Sequence, residues 1–162
     1  MYILSTIGHT PLVELKVINP RPDRVCILIK MEGNNPGGLI KDRTALYMIE
    51  EAKRSGKLHP RQITLEATSG NTGIALAMIG AAKGYRVRLV LPECTSWERI
   101  QTLRAYGADI ELTPRDQGTD SAIHRARQLL EENIDLYFMP DQYANSANVH
   151  AHYENTGPEI YE

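Results

Sequence analysis

Two cysteines, no basic run longer than two residues and no apolar run long enough to cross a bilayer are the first informative shortages of this chain. Cys26 and Cys94 fall in or beside apolar strand patterns, so buried thiols are predicted rather than a disulfide, and neither has a histidine at metal-motif spacing. The longest apolar stretch, Ile74 to Ala82, falls far short of the ~20 residues a transmembrane helix needs. The opening residues, Met1 to Ile7, lack the basic and apolar regions of a signal peptide. No membrane partner is expected, and the predicted location is cytoplasmic. A formal charge of -2 and a pI near 6.2 provide no electrostatic footprint for nucleic acid. A small-molecule ligand is the remaining expectation. At 162 residues, 42% hydrophobic and 23% charged, the chain suits one ordinary globular domain, not a large two-domain enzyme.

What is present alternates. Leu12–Leu15 and Val25–Lys30 read as two strands around the breaker-rich Asn19-Pro20-Arg21-Pro22-Asp23, and are predicted to pair as a hairpin. From about Asp42 to Arg54, Ala45, Met48, Ile49 and Ala52 share one helical face. Strand Ile63–Ala67 follows, then a helix from about Thr72 to Lys83 ended by Gly84, and strand Val87–Leu91. The next helix, Trp97–Tyr106, is expected to open on a capping box of Thr95 and Glu98 and to end at Gly107. Strand Asp109–Leu112, a helix from about Asp120 to Glu132 and strand Leu136–Met139 complete the series. Such alternation predicts an α/β fold, with a parallel sheet covered by helices on both faces. Trp97, Tyr85, Tyr106 and Tyr137 occupy positions where core packing or a half-buried face suffices.

Two segments point to chemistry. Thr68-Ser69-Gly70-Asn71-Thr72-Gly73 joins the C-terminal end of a strand to the start of a helix, the crevice where open α/β sheets bind ligands. Its glycines admit close backbone approach, its hydroxyls and amide donate hydrogen bonds, and the helix end favours an anion. Taken alone, such a loop also serves as a helix N-cap and turn. Lys41 opens a helix behind the Pro36-Gly37-Gly38 break; taken alone, Lys41-Asp42-Arg43 reads as a surface charge cluster. His150-Ala151-His152 has no third ligand at motif spacing, so no metal is expected and these read as helix-boundary histidines.

Three linked segments then add up: G-N-N-P-G-G-L-I-K-D-R at 33–43, E-A-T-S-G-N-T-G-I-A-L-A-M at 66–78 and A-H-Y-E-N-T-G-P-E-I at 151–160. With the opening I-G-H-T-P-L-V-E-L, they resemble the cysteine synthases (O-acetylserine sulfhydrylases), which are fold-type-II pyridoxal-phosphate enzymes. Ala67 and Ala75-Leu76-Ala77-Met78 look more like the B-type isozymes, some of which accept thiosulfate as well as sulfide. The resemblance implies that Lys41 is the catalytic lysine that binds pyridoxal 5'-phosphate covalently and that Asn71 bonds the cofactor's ring hydroxyl. It implies that Thr68, Ser69, Thr72 and Gln142 clamp the carboxylate of an amino-acid substrate. In such enzymes an O-acylated serine loses acetate and a sulfur nucleophile takes its place, forming L-cysteine.

The resemblance also implies a division of the chain into an N-terminal hairpin at 1–36, a small α/β domain at 37–144, and the start of a large domain at 145–162. The family's phosphate loop belongs to a C-terminal half that does not follow here. The chain therefore looks cut short, inactive by itself, and prone to form a homodimer or self-associate. Leu39 stands where the family usually has serine or another small residue. Another fold-type-II lyase, such as cystathionine β-synthase or a serine/threonine dehydratase, fits the same residues, as does a non-catalytic amino-acid-binding module.

Overall fold

A computed structural model describes residues 2–68 and 70–162. The hairpin strands β1 (Leu12–Glu14) and β2 (Leu28–Lys30) pair antiparallel, with Val13 opposite Ile29. They form a small sheet of their own. The second strand is shorter than the apolar pattern suggested, because the chain from Arg21 turns before Leu28. Cys26 consequently lies outside the ladder and is exposed, as is Cys94 on the turn after β4. The expectation of buried thiols is thus corrected.

Helix α1 (Lys41–Arg54) leads into the main sheet. Strands β3 (Ile63–Ala67), β4 (Arg86–Pro92), β5 (Asp109–Thr113) and β6 (Tyr137–Phe138) lie in the order β5-β4-β3-β6, all parallel. They are linked by α2 (Asn71–Lys83), α3 (Trp97–Ala105) and α4 (Gly118–Glu132). Successive strand residues point to opposite faces, and β4 shows the result. Val87, Leu89 and Leu91 join one buried cluster with residues of α1, α2 and α3, whereas Val90 joins a second with Ala122, Ala126 and Leu129 of α4. The sheet is therefore covered on both faces, as the alternation predicted.

Ala45, Met48, Ile49 and Ala52, the expected inner face of α1, are all buried. Helix α2 reaches the sheet closely because of Gly80, where an added Cβ would come within 2.3 Å of Val87 Cγ2. The capping box of α3 does not form: Ser96, not Thr95, is the N-cap, with no side-chain bond, and the buried Thr95 Oγ1 has no partner. Trp97 is exposed rather than packed in the core. The chain closes with α5 (Ser146–Ala151), a π-helical turn His152–Thr156 and α6 (Gly157–Tyr161). Among the described residues, no helix is long and apolar enough to cross a membrane.

Candidate active site

The order β5-β4-β3-β6 contains a reversal. From β3 the chain proceeds outward to β4 and β5, then α4 carries it back across the sheet to β6 on the other side of β3. At such a switch point, the loops after the two neighbouring strands part and leave a crevice at their carboxyl ends. Here those loops begin at Thr68 and Met139. At the start of α2, Thr72 Oγ1 donates across the crevice to Gln142 Oε1 at 2.6 Å.

A cleft of about 390 Å³ opens at this point, lined by Lys41, Thr68, Asn71, Thr72 and Gln142. Five of the six residues singled out from the sequence thus meet in one place, although Gln142 lies 70 positions from Thr72. The sixth, Ser69, lies outside the described residues. Lys41 is half-buried at the first position of α1. Thr68 and Thr72 are buried, and Gly70 N donates to Thr68 Oγ1 at 3.2 Å, which tightens the loop before α2 begins. The N-cap of α2 is Gly70, which has no side-chain bond to the helix. Gly73 N donates to Gly70 O at 3.1 Å, and the positive end of the helix dipole favours an anion here. Leu39 is half-buried and does not line the cleft.

Arg99, Thr119 and Tyr143 also line the cleft. None was singled out from the sequence. Every strand of a parallel sheet points its carboxyl end the same way, so the segments after β4, β5 and β6 had to converge on this edge, and that rule was the signal that could have found them. His152, read from the sequence as a helix-boundary histidine, does not line the cleft. It is held by a bond between Nδ1 and Thr156 Oγ1 at 3.0 Å. Burial lowers its pKa, and the positive charges of Lys41 and Arg43 lower it further, which places it electrostatically within reach of the site.

Behind the loops, Glu66 of β3 is buried, and this burial together with the charge of Asp141 pushes its carboxyl up to about 7. On the far side of α1, Asp42 is fully buried, so that desolvation pushes it up to about 6 while its Oδ2 accepts from Gly37 N at 2.6 Å. Arg43 is buried as well. Lys41-Asp42-Arg43 is not a surface charge cluster: Asp42 and Arg43 are both buried.

The donor set suits pyridoxal phosphate. A primary amine for its aldehyde, side-chain amides and hydroxyls for its ring and for a carboxylate, and a helix N-terminus for negative charge face one space. Among the described residues, no carboxylate lines that space to repel an anion.

The chain belongs to the pyridoxal-phosphate dependent enzyme family, whose model matches residues 3–162. Among individual relatives, it is 48% identical over 157 residues to cysteine synthase B of Salmonella typhimurium, a match covering 97% of this chain and 51% of the relative. A crystal structure of cysteine synthase from Entamoeba histolytica matches with a TM-score of 0.93 at 41% identity, over 98% of this chain and 48% of that one. A hydrogen sulfide-producing enzyme from Fusobacterium nucleatum matches with a TM-score of 0.90 at 44% identity, over 98% of this chain and 52% of that one. The chain spans about half the length of the curated relatives it matches. These likenesses agree with the expected fold, a helix-covered parallel sheet with a small antiparallel hairpin.

Proposed function

We propose that this chain supplies the Lys41-bearing, N-terminal portion of a cysteine synthase that forms L-cysteine from O-acetyl-L-serine and sulfide or thiosulfate. The observation that carries the reading is the single cleft at the sheet's switch point, where Lys41 shares one space with the loop after β3 and with Gln142. When bound, pyridoxal phosphate supplies the electron sink that makes the substrate's α-proton acidic and its acetate a leaving group. The protein supplies binding, orientation and a proton carrier.

Lys41 Nζ would hold the cofactor covalently and, as a free amine, would take up the substrate's α-proton. Asn71 would orient the cofactor through its ring hydroxyl. Thr68, Ser69, Thr72 and Gln142 hold the substrate carboxylate, assisted by the N-terminus of α2. The bond from Thr72 to Gln142 Oε1 gives this clamp an internal order. With its oxygen occupied, the Gln142 amide presents its N–H groups, the donors a carboxylate needs.

The apolar surface of residues 1–36, including the exposed Val13, Val17, Ile18, Leu28 and Ile29, suits cover by the remaining polypeptide that the relatives possess. We read 37–144 as the small domain and 145–162 as the entry to the large one.

The test is to assay the full-length protein with O-acetylserine plus sulfide or thiosulfate, and separately with serine plus homocysteine. Cysteine formation from the first set is expected. Turnover confined to the second would overturn the reading in favour of a cystathionine β-synthase.

A further inference from the structure

The first turn of α1 carries Lys41, yet it is not held as helix starts usually are. Ile40 stands at the N-cap and makes no side-chain bond to the helix. Arg43, only 2% exposed, anchors the turn instead. Its Nε and Nη2 donate to Glu32 Oε2 and Oε1, both at 2.8 Å. Its Nη1 and Nη2 donate to Glu159 Oε1 and Oε2 at 2.6 and 2.7 Å. Two carboxylates thus grip one guanidinium, each through two bonds.

The grip is itself secured. Lys30 Nζ pairs with Glu159 Oε2 at 2.6 Å, His9 N donates to Glu159 Oε1 at 2.9 Å, and Thr10 Oγ1 donates to Glu32 Oε1 at 2.6 Å. Gly8 passes so close, with φ +88°, that an added Cβ would lie 3.1 Å from Arg43 Nη1. Four separated parts of the chain, residues 8–10, 30–32, α1 and α6, meet on this one side chain. These bonds hold Glu159 well below the usual carboxylate range, Arg43 foremost among the causes, and so keep the clasp ionised.

Burying charge is an inefficient way to stabilise a fold, because desolvation offsets much of the attraction. What bidentate pairs supply is fixed geometry. Residues two apart on an α-helix point about 200° apart around its axis. The guanidinium therefore grips α1 from behind while Lys41 lines the cleft in front, and neither Arg43 nor Glu159 lines that cleft.

We propose that the Glu32–Arg43–Glu159 clasp is a positioning device that fixes the rotation of α1 about its axis and so aims Lys41 Nζ at the loop after β3. Arg43 and Glu159 act through the backbone of α1 and are positioning residues. The proposal rests on the reading of Lys41 as the cofactor's amine.

The test uses the full-length protein with Glu159→Gln, which keeps side-chain shape, and Arg43→Lys, which keeps charge but loses the fork. The cofactor is removed and pyridoxal phosphate added back, and the borohydride-trapped adduct on Lys41 is timed by peptide mass spectrometry beside thermal melting, KM and kcat. Both variants are expected to form the adduct at least about tenfold more slowly and to lose kcat in step, with KM changed far less, since misplacing a reacting group costs rate. Glu159→Asp should fall between Glu159→Gln and the parent. A lowered melting temperature with unchanged adduct formation and kcat would overturn the proposal, leaving a purely stabilising clasp. If Glu159→Gln does not fold, Arg43→Lys decides by the same readings. A parent adduct on another lysine would sink the reading of Lys41, and the clasp's role with it. An adduct on Lys41 that neither variant slows would sink the clasp alone.

Discussion

Replacing Thr72 by alanine in the full-length protein removes a buried hydroxyl whose proton goes to Gln142 Oε1 at 2.6 Å. Between two neutral groups that bond contributes ~0.5–1.5 kcal/mol, whereas a bond to a charged carboxylate contributes ~1.5–3 kcal/mol. Thr72 has one proton and gives it to Gln142 Oε1, so its loss frees the amide whose N–H groups are proposed to bond the substrate's charged carboxylate. With ~1.4 kcal/mol per factor of ten, substrate capture should weaken by roughly tenfold to a hundredfold. Cofactor retention should change little, because Lys41 and Asn71 are the residues proposed to hold that group. The assay is a titration with O-acetylserine followed by absorbance, beside a measurement of bound cofactor. Thr72→Ser, which restores the donor, should recover most of the affinity. Because Thr72 and Gln142 share a bond, the effect of Thr72→Ala with Gln142→Ala should fall short of the sum of the single effects. Normal substrate titration alongside lost cofactor would refute the reasoning, and strict additivity would show that the two side chains act separately.

Gly37→Ala would place a Cβ 2.4 Å from Asp42 Oδ1 and 2.8 Å from Oδ2, against a side chain with no exposed surface. Overpacking of this kind costs ~1–3 kcal/mol, so the melting temperature should fall by several degrees, and an unchanged value would contradict the geometry. Glu66 is raised from 4.5 to about 7 by burial and by Asp141, so the folded state keeps a proton that the unfolded state has lost. Its contribution to stability is full below 4.5 and is lost as pH rises through about 7. Glu66→Gln should therefore gain stability relative to the parent across that window, by something on the order of 2 kcal/mol in denaturant titrations; a difference that does not change with pH would count against it.

The βαβ rhythm was legible because strand and helix periodicities differ and because Gly84 and Gly107 end their helices, both with positive φ. The inner face of α1 was legible for the same reason. Local chemistry was misread where tertiary packing decides. Thr95 and Glu98 have the spacing of a capping box, but the turn after β4 buries Thr95 and gives the N-cap to Ser96. Cys26 sits in an apolar run that continues past the end of the ladder, so its neighbours' hydrophobicity said nothing of its own exposure. The ordering of the site is long-range and had no local trace. Thr72 meets Gln142 across 70 positions and Arg43 meets Glu159 across 116. Gln142 was found through family resemblance, whereas Arg43 and Glu159, both inside recognised segments, gave no sign that they would meet.

The central claim is that Lys41 is the amine that binds the cofactor, and borohydride trapping tests it most directly. The full-length protein, reduced in the presence of pyridoxal phosphate, digested and examined by mass spectrometry, should show the cofactor's mass on the peptide containing Lys41. The Lys41→Ala protein should show neither the adduct nor cysteine formation. Lys30 is engaged with Glu159, and Lys53 lies in the last turn of α1, far from the end that opens on the cleft. An adduct on either of them, or on any residue of a Lys41→Ala protein that still turns over, would contradict the account.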